Sequence, residues 1–254
     1  MTETGALKTN IENGVGKITF SHPKSNSLPG DLLRKIARSV EEFAAEPEVS
    51  VLLLQSSGEK AFCAGASFDE LLAVETPEES VHFFSGFAEV IQAMRNCPKF
   101  ILTRVQGKAV GGGVGLIAAS DYVLATDRAA IKLSELELGI GPFIIGPAVE
   151  RKVGPAAFAE LAIEADWRSA QWASEHGLYN RGLCSSIEEL DSQIAELTKR
   201  LAGFHLDAMT KLKEATWAST DSWNTLLPER VQTTARLALS EFVQKKVASF
   251  KAKG

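Results

Sequence analysis

Apolar and polar residues alternate near the N-terminus in a way that predicts two short paired strands. Residues 7–20 contain two alternating stretches, and the pair Asn13-Gly14 lies between them. An Asn-Gly pair flanked by such stretches is typical of a two-residue hairpin turn. The sequence therefore predicts that a β-sheet begins with a hairpin.

The pattern then alternates between helices and buried strands. Apolar residues recur at helical spacing over residues 28–43 and 83–94, and prolines follow both stretches. The continuous apolar run at 51–54 is typical of a strand covered on both faces. Residues 100–105 predict another buried strand and residues 122–125 the next one, and a Gly-rich turn leads into a short helix at 111–119. This alternation predicts an α/β core with right-handed crossovers.

Past about residue 143 strand patterns become scarce. Helical periodicity is found instead at 158–165, 170–176, 187–202, 208–217 and 225–250. No repeat or low-complexity linker separates this part from the rest of the chain. We therefore expect an all-helical C-terminal region that packs on the core or on a neighbouring subunit.

Composition narrows the class of protein. The 254 residues are 45% hydrophobic and 23% charged, an ordinary globular composition, and the formal net charge of −5 provides no broad attraction for nucleic acid or anionic lipid. No apolar run approaches the roughly 20 residues that cross a bilayer. Three widely spaced cysteines predict neither a disulfide framework nor a zinc site. We expect a cytoplasmic protein that binds no metal, nucleic acid or membrane.

Two Gly-rich segments are the candidates for chemistry. Gly111, Gly112 and Gly113 precede an apolar helix, where unhindered N–H groups beside the positive end of the helix dipole suit a developing oxyanion. Tight turning and close helix packing would explain the same glycines. The segment 60–71, with its small residues at 63–67, follows the strand at 51–54 and could be a structural turn. The occurrence of both segments in one chain is a more specific indication of a functional site than either segment alone.

These two segments, together with the later segment 133–142, resemble the crotonase superfamily of enoyl-CoA hydratase/isomerase proteins. The matching sequences are Phe-Cys-Ala-Gly-Ala at 62–66, Gly-Gly-Gly at 111–113 and Leu-Ser-Glu-Leu-Glu-Leu-Gly-Ile-Gly-Pro at 133–142. The resemblance extends over nearly the whole chain in order and spacing.

The resemblance implies a core of repeated ββα units at 1–195 that binds a coenzyme A thioester, and a C-terminal helical trimerisation region at 196–254. It implies a homotrimer or homohexamer that needs no cofactor beyond the coenzyme A of the substrate. By the same resemblance, the backbone N–H groups of Ala66 and Gly112 form an oxyanion hole for the thioester carbonyl. The positions that match the coenzyme A and acyl channel are Lys24, Ala64, Ser67, Phe68, Asp69, Gly111, Gly115 and Phe143.

The enoyl-CoA hydratases that serve as type members of this family carry two glutamates in the site, and this chain departs from that pattern. The first of these positions is Gly115 here, whereas the second matches Glu135, which the resemblance makes the catalytic acid/base. Burial among leucines would raise its pKa towards the working range of such a catalyst. Glu137 is the backup, and it would point away from the site if the segment were extended. Phe143 and its neighbours at 144–145 replace small residues and narrow or dry the acyl pocket, unless they only pack a helix start.

The missing glutamate keeps several activities open. One carboxylate suffices to shuttle a proton in double-bond isomerisation, whereas hydration usually shares its work between two. Space at Gly115 could hold a water or a polar substrate group instead. The sequence therefore predicts an acyl-CoA hydratase or isomerase, and leaves as alternatives another acyl-CoA reaction such as decarboxylation, or a catalytically silent CoA-binding or RNA-associated relative.

Overall fold

A computed structural model describes residues 5–251 as an α/β core with a helical C-terminal region, as the sequence predicts. The strands are β1 (Ala6–Glu12), β2 (Val15–Ser21), β3 (Val51–Ser56), β4 (Phe100–Val105), β5 (Ala109–Val110), β6 (Tyr122–Ala125) and β7 (Ile131–Lys132). The helices of the first half are α1 (Gly30–Ala45), α2 (Phe68–Ala73), α3 (Pro77–Asn96), α4 (Gly112–Ala118) and α5 (Glu135–Leu138). The remaining helices are α6 (Gly146–Val153), α7 (Pro155–Glu164), α8 (Ala170–Glu175), α9 (Ile187–Ala202), α10 (Leu206–Trp217), α11 (Trp223–Ala238) and α12 (Glu241–Lys251).

The main sheet has five strands in the order β1-β2-β3-β4-β6. The pair β1–β2 is antiparallel, and the predicted hairpin is confirmed. Asn13 and Gly14 both have positive φ, 52° and 78°, as a turn of type I′ requires. The other pairs are parallel, and the connections between their strands contain α1, α3 and α4 in turn.

Helices cover both faces of this sheet, which explains the continuous apolar run at residues 51–54 of β3. On one face, Leu52 and Leu54 of β3 belong to the core cluster that includes α1 and α3. On the other face, Val51 and Leu53 pack with α9 in a second cluster. Because α9 spans residues 187–202, the predicted boundary after residue 195 falls inside a helix that packs on the sheet.

A second sheet of two short strands holds the loops beside the main sheet. β5 and β7 pair in parallel, with Ala109 opposite Ile131 and Val110 opposite Lys132. The sequence does not predict these strands, since two residues are too few to form a periodic pattern. Their pairing brings the glycine triplet next to the segment that begins at Leu133.

The C-terminal region ends in two helices, where periodicity predicted one at 225–250. α11 packs on α3, and α12 turns back onto α2 and α5. Val243 and Val247 of α12 are buried within the chain, so at these two positions the C-terminal region packs on the core and not on a neighbouring subunit. Phe242 is 63% exposed. Within residues 5–251, no helix is long and apolar enough to cross a membrane.

Candidate active site

The loop after β3 and the loop before α4 lie directly against each other. The N–H of Val110 donates to the carbonyl of Cys63 at 2.9 Å, and the N–H of Phe62 donates to that of Lys108 at 2.9 Å. Gly65 has a φ of +87°, and a Cβ there would lie 2.9 Å from the carbonyl oxygen of Val110. The close approach of the two loops therefore depends on a glycine at this position.

The glycine triplet is also required by packing. A Cβ on Gly112 would lie 2.1 Å from Cε1 of Phe87, and one on Gly113 would lie 2.7 Å from Cβ of Cys63. The packing explanation that the sequence left open is thus true of these glycines. It does not exclude the functional explanation, since the same packing fixes the direction of the backbone N–H groups.

Two backbone N–H groups at this junction have no acceptor among the described residues. The N–H of Leu28 donates to the carbonyl of Gly65 at 2.8 Å, and the N–H of Ser67 donates to the carbonyl of Leu28 at 3.2 Å. Ala66 lies between Gly65 and Ser67, and its own N–H takes part in neither bond. Gly112 is the first residue of α4, where N–H groups have no partner inside the helix. Neither N–H takes part in the hydrogen bonds formed among residues 5–251, and both residues line the same cleft.

Glu135 lies beside this pair. The N–H of Gly111 donates to the carbonyl of Lys132 at 2.9 Å, which extends the β5–β7 pairing up to the start of α5. Gly111 has a φ of +51°, and a Cβ there would lie 2.9 Å from Oε1 of Glu135. The glycine therefore leaves the room that the carboxyl group occupies.

The carboxyl group of Glu135 is desolvated. Its Oε2 atom is fully buried and has no hydrogen-bond partner among the described residues. Burial raises the pKa of Glu135 to about 7, because water no longer stabilises the charged form, and a backbone hydrogen bond opposes this only weakly. At neutral pH both protonation states are populated, as an acid/base catalyst requires.

Glu137 takes a different role from Glu135. Glu137 was expected to point away from the site if this segment were extended. The segment 135–138 is instead a short helix, so that condition does not hold. Its carboxylate instead binds Nζ of Lys132 at 2.8 Å. Glu137 does not line the cleft in which the Glu135 carboxyl lies.

The cleft in front of these groups is strongly apolar. It contains about 600 Å³ of empty space, part of it open to solvent, and Glu135 is the one titratable side chain among its lining residues. The walls come from α2, α3, the loop after α5 and α11. Its apolar lining includes Phe68, Leu71, Phe84, Phe87, Leu138, Ile140, Phe143, Ile144 and Ile145.

Gly115 does not line this cleft, contrary to the expectation that it contacts substrate. A Cβ on Gly115 would lie 2.5 Å from Cγ2 of Ile145 and 2.8 Å from its Cβ. The space that the absent side chain leaves is therefore filled by Ile145 and holds neither water nor substrate.

The other predicted binding residues divide into two groups. Ala64 and Phe68 line the cleft, as do Gly111 and Phe143. Lys24 forms an ion pair with Asp69 outside the lining. The remaining residue, Ser67, is buried and caps the N-terminus of α2 with its hydroxyl group.

Thr234 is a lining residue that sequence reasoning missed. It is buried in α11, about 100 residues from Glu135 along the chain, and its hydroxyl group donates to the carbonyl of Arg230 at 2.9 Å. A threonine within a long helix carries no signal of this placement. Only the packing of α11 on α3 brings it to the cleft.

Comparison with protein families gives a match along almost the whole chain. The model described as enoyl-CoA hydratase/isomerase matches residues 10–253. The carnitinyl-CoA dehydratase of Proteus mirabilis is 28% identical over 210 residues, which cover 82% of this chain and 79% of that protein.

Solved structures give the same fold. The enoyl-CoA hydratase of Bacillus halodurans superposes with a TM-score of 0.88 at 19% identity, over 96% of this chain and 99% of the other. An enoyl-CoA hydratase of Mycobacterium avium subsp. paratuberculosis superposes with a TM-score of 0.85 at 25% identity, over 97% of this chain and 96% of the other.

Proposed function

Because the chain belongs to the enoyl-CoA hydratase/isomerase family of the crotonase superfamily, we propose that it moves a double bond in an unsaturated acyl-CoA thioester, with Glu135 as the single acid/base. The observation that carries the proposal is the buried, unpartnered Oε2 of Glu135 in an apolar cleft beside two unused backbone N–H groups.

The N–H groups of Ala66 and Gly112 would bind the thioester oxygen. A proton next to a thioester is too weakly acidic for a carboxylate unless the enolate oxygen is stabilised as it forms. Two fixed donors provide this, and loss of one such donor typically costs about 3–4 kcal/mol of barrier.

Glu135 would then carry one proton between two carbons. Its carboxylate takes a proton from the α-carbon of a β,γ-unsaturated thioester, and the electron pair delocalises into a dienolate. The resulting carboxylic acid returns the proton to the γ-carbon, which gives the α,β-unsaturated thioester. Nothing is gained or lost overall, so one carboxyl group with a pKa of about 7 suffices.

The surroundings of Glu135 favour this reaction over hydration. Hydration needs a second polar group to hold the attacking water, and at Gly115, where the type hydratases have a glutamate, the space is filled by Ile145. The rest of the lining offers the hydroxyl groups of Ser134 and Thr234, and that of Thr234 already donates to a carbonyl.

Hydration or its reverse is the second candidate, and the relatives favour it. The Proteus mirabilis relative is a dehydratase by name, and the solved structures are hydratases by name. In that case Glu135 would hold the ordered water together with backbone groups and the hydroxyl group of Ser134.

The experiment is an assay of product identity. Purified protein is incubated with α,β- and β,γ-unsaturated acyl-CoA thioesters, and double-bond migration and hydration are measured separately. We expect migration, and we expect Glu135→Gln to lower its turnover by about 10²–10⁴-fold, the usual contribution of general acid–base catalysis.

Glu137→Gln is the matched control, since it changes a carboxylate two residues away that is bound to Lys132. It should retain turnover. Hydration as the sole product would replace the first candidate by the second, and full activity of Glu135→Gln on either reaction would contradict both. That Lys24 contacts the coenzyme A, that no other cofactor is needed and that the protein is cytoplasmic remain predictions.

A further inference from the structure

A second cleft adjoins the apolar cleft that holds Glu135. The two clefts share Pro142 and Phe143, which line both. The second cleft contains about 1400 Å³ of empty space, part of it open to solvent, and lies between α6, α7 and the start of α11. Its polar lining residues are Glu150, Arg151, Ser219, Thr220 and Arg230.

The wall between the clefts includes Pro142 and the aromatic ring of Phe143. Phe143 is half-buried, and Cζ of its ring would lie 2.8 Å from a Cβ on Gly141, which has a φ of +63°. The ring therefore lies over a glycine and is partly exposed. Rotamer changes of partly exposed side chains are fast, so this wall can open for an acyl chain without backbone movement.

Arg230 gives the second cleft its charge. Its side chain is half-buried and forms no hydrogen bond or ion pair with the residues that the structure describes. Arg151, by contrast, donates to the carbonyl of Thr216 at 2.9 Å and lies 3.8 Å from the ring centre of Trp217. Glu150 is exposed at the rim. The lining of the second cleft therefore carries two guanidinium groups and one exposed carboxylate. The N–H donors of the Arg230 side chain are available to a ligand.

One helix links Arg230 to the acyl cleft. Thr234, which lines that cleft, follows Arg230 by one turn of α11, so both residues lie on the same face of the helix. An acyl chain that ran from Glu135 past Thr234 and Phe143 would therefore approach the side of the second cleft where Arg230 lies.

From this arrangement we infer that the acyl chain of the substrate ends in a carboxylate, which the Arg230 guanidinium binds in the second cleft. The substrate class is then the mono-thioester of an unsaturated dicarboxylic acid. A guanidinium group pairs with a carboxylate through two parallel hydrogen bonds, and it repels an acyl chain that ends in a cation. The inference rests on the proposed function, because it assigns the far end of the substrate on which Glu135 acts.

The test compares matched substrates. β,γ-Unsaturated acyl-CoA thioesters of increasing chain length are prepared in three versions, with a methyl, a carboxylate or an ammonium group at the far end, and kcat/KM is measured for each. At the chain length that spans the two clefts, the carboxylate version should exceed the methyl version by at least about 10-fold, and the ammonium version should be the poorest.

Variants of α11 then locate the preference. Arg230→Met should reduce the carboxylate-to-methyl ratio of kcat/KM by at least about 10-fold through KM, and Arg230→Lys should restore part of it. Arg236→Met is the control, because it removes an exposed arginine of the same helix. It should leave the ratio unchanged.

The outcomes separate this inference from the proposed function. Equal or lower kcat/KM for the carboxylate versions at every length, with activity on methyl versions, overturns the inference and leaves the proposed function standing. A carboxylate preference that survives in Arg230→Met also overturns it. No activity on any version contradicts the proposed function itself.

Discussion

At the scale of single residues, the environment of Glu135 accounts for its chemical role. A glutamate on a protein surface is ionised at neutral pH and is a weak base. Here one carboxyl oxygen is enclosed without a partner, and burial raises the pKa to about 7. The group is thereby tuned by desolvation and not by a neighbouring charge.

This pKa predicts how activity depends on pH. The carboxylate is the form that removes the first proton, so kcat/KM of the wild-type protein should rise as pH increases through about 7 and then level off. A pH–rate profile on a β,γ-unsaturated thioester measures this. A profile that is flat between about pH 5 and 9 would contradict the role of Glu135.

The same pKa predicts an effect on stability. The pKa of Glu135 in the folded state lies above its ordinary value of 4.5. The contribution of this group to the free energy of unfolding is therefore fully present below pH 4.5 and is lost as pH rises through about 7. Glu135→Gln removes the charge, so near pH 9 its free energy of unfolding should exceed that of the wild type by up to about 3 kcal/mol. Near pH 4.5 this difference should vanish. Urea denaturation at both pH values measures it.

The structural role of Gly115 is set by the side chain of Ile145, which packs against it. Gly115→Ala should destabilise the protein by about 1–3 kcal/mol, because the new Cβ collides with Ile145 and overpacking outweighs the gain in helix propensity. Denaturant unfolding measures the loss. Gly182→Ala, at a position where a Cβ meets no atom within 4 Å, is the control. A Gly115→Ala protein as stable as the wild type would show that the site has room after all.

At the scale of elements, α12 supports the short helix that carries Glu135. Gly139 caps the C-terminus of α5 and has a φ of +92°, and a Cβ added there would lie 2.6 Å from the ring of Phe242. Val243 is buried at the same contact, 3.1 Å from that Cβ position. A helix of four residues has little stability of its own. Its position therefore depends on this contact.

Gly139→Ala tests that dependence. It should destabilise the fold and lower kcat, because the alanine is strained at positive φ and also displaces Phe242. Gly58→Ala controls for the strain alone, since Gly58 has a φ of +83° with nothing near its Cβ. Adding Phe242→Ala should recover part of the lost kcat. Full activity of the single variant would exclude a link between α12 and Glu135.

At the scale of the whole molecule, self-association is the open prediction. The resemblance implies a trimer or hexamer, and large apolar side chains are exposed on the described surface, among them Ile163, Phe204 and Leu212. Light scattering should give three or six times the chain mass of 27.3 kDa at micromolar concentration. A mass of one chain over that range would contradict the prediction, and with it the role proposed for residues 196–254.

The family match and the fold class could both be predicted from the sequence. The hairpin and the parallel strands followed from local patterns, since a turn pair and a continuous apolar run are both visible in adjacent residues. Glu135, Ala66 and Gly112 were predicted from the resemblance to the family, whose short motifs place small residues where two loops approach closely. These features depend on neighbours in the chain or on one short motif.

Tertiary packing decided the features that depend on distant parts of the chain. The position of Ile145 decided whether the absent side chain of Gly115 leaves a space. The turn between α11 and α12 decided whether the last helix packs on its own chain. The enclosure of the Glu135 carboxyl likewise comes from the walls of the cleft, among them α3 and α11. Packing and desolvation are sums over atoms from many segments, so no local pattern encodes them.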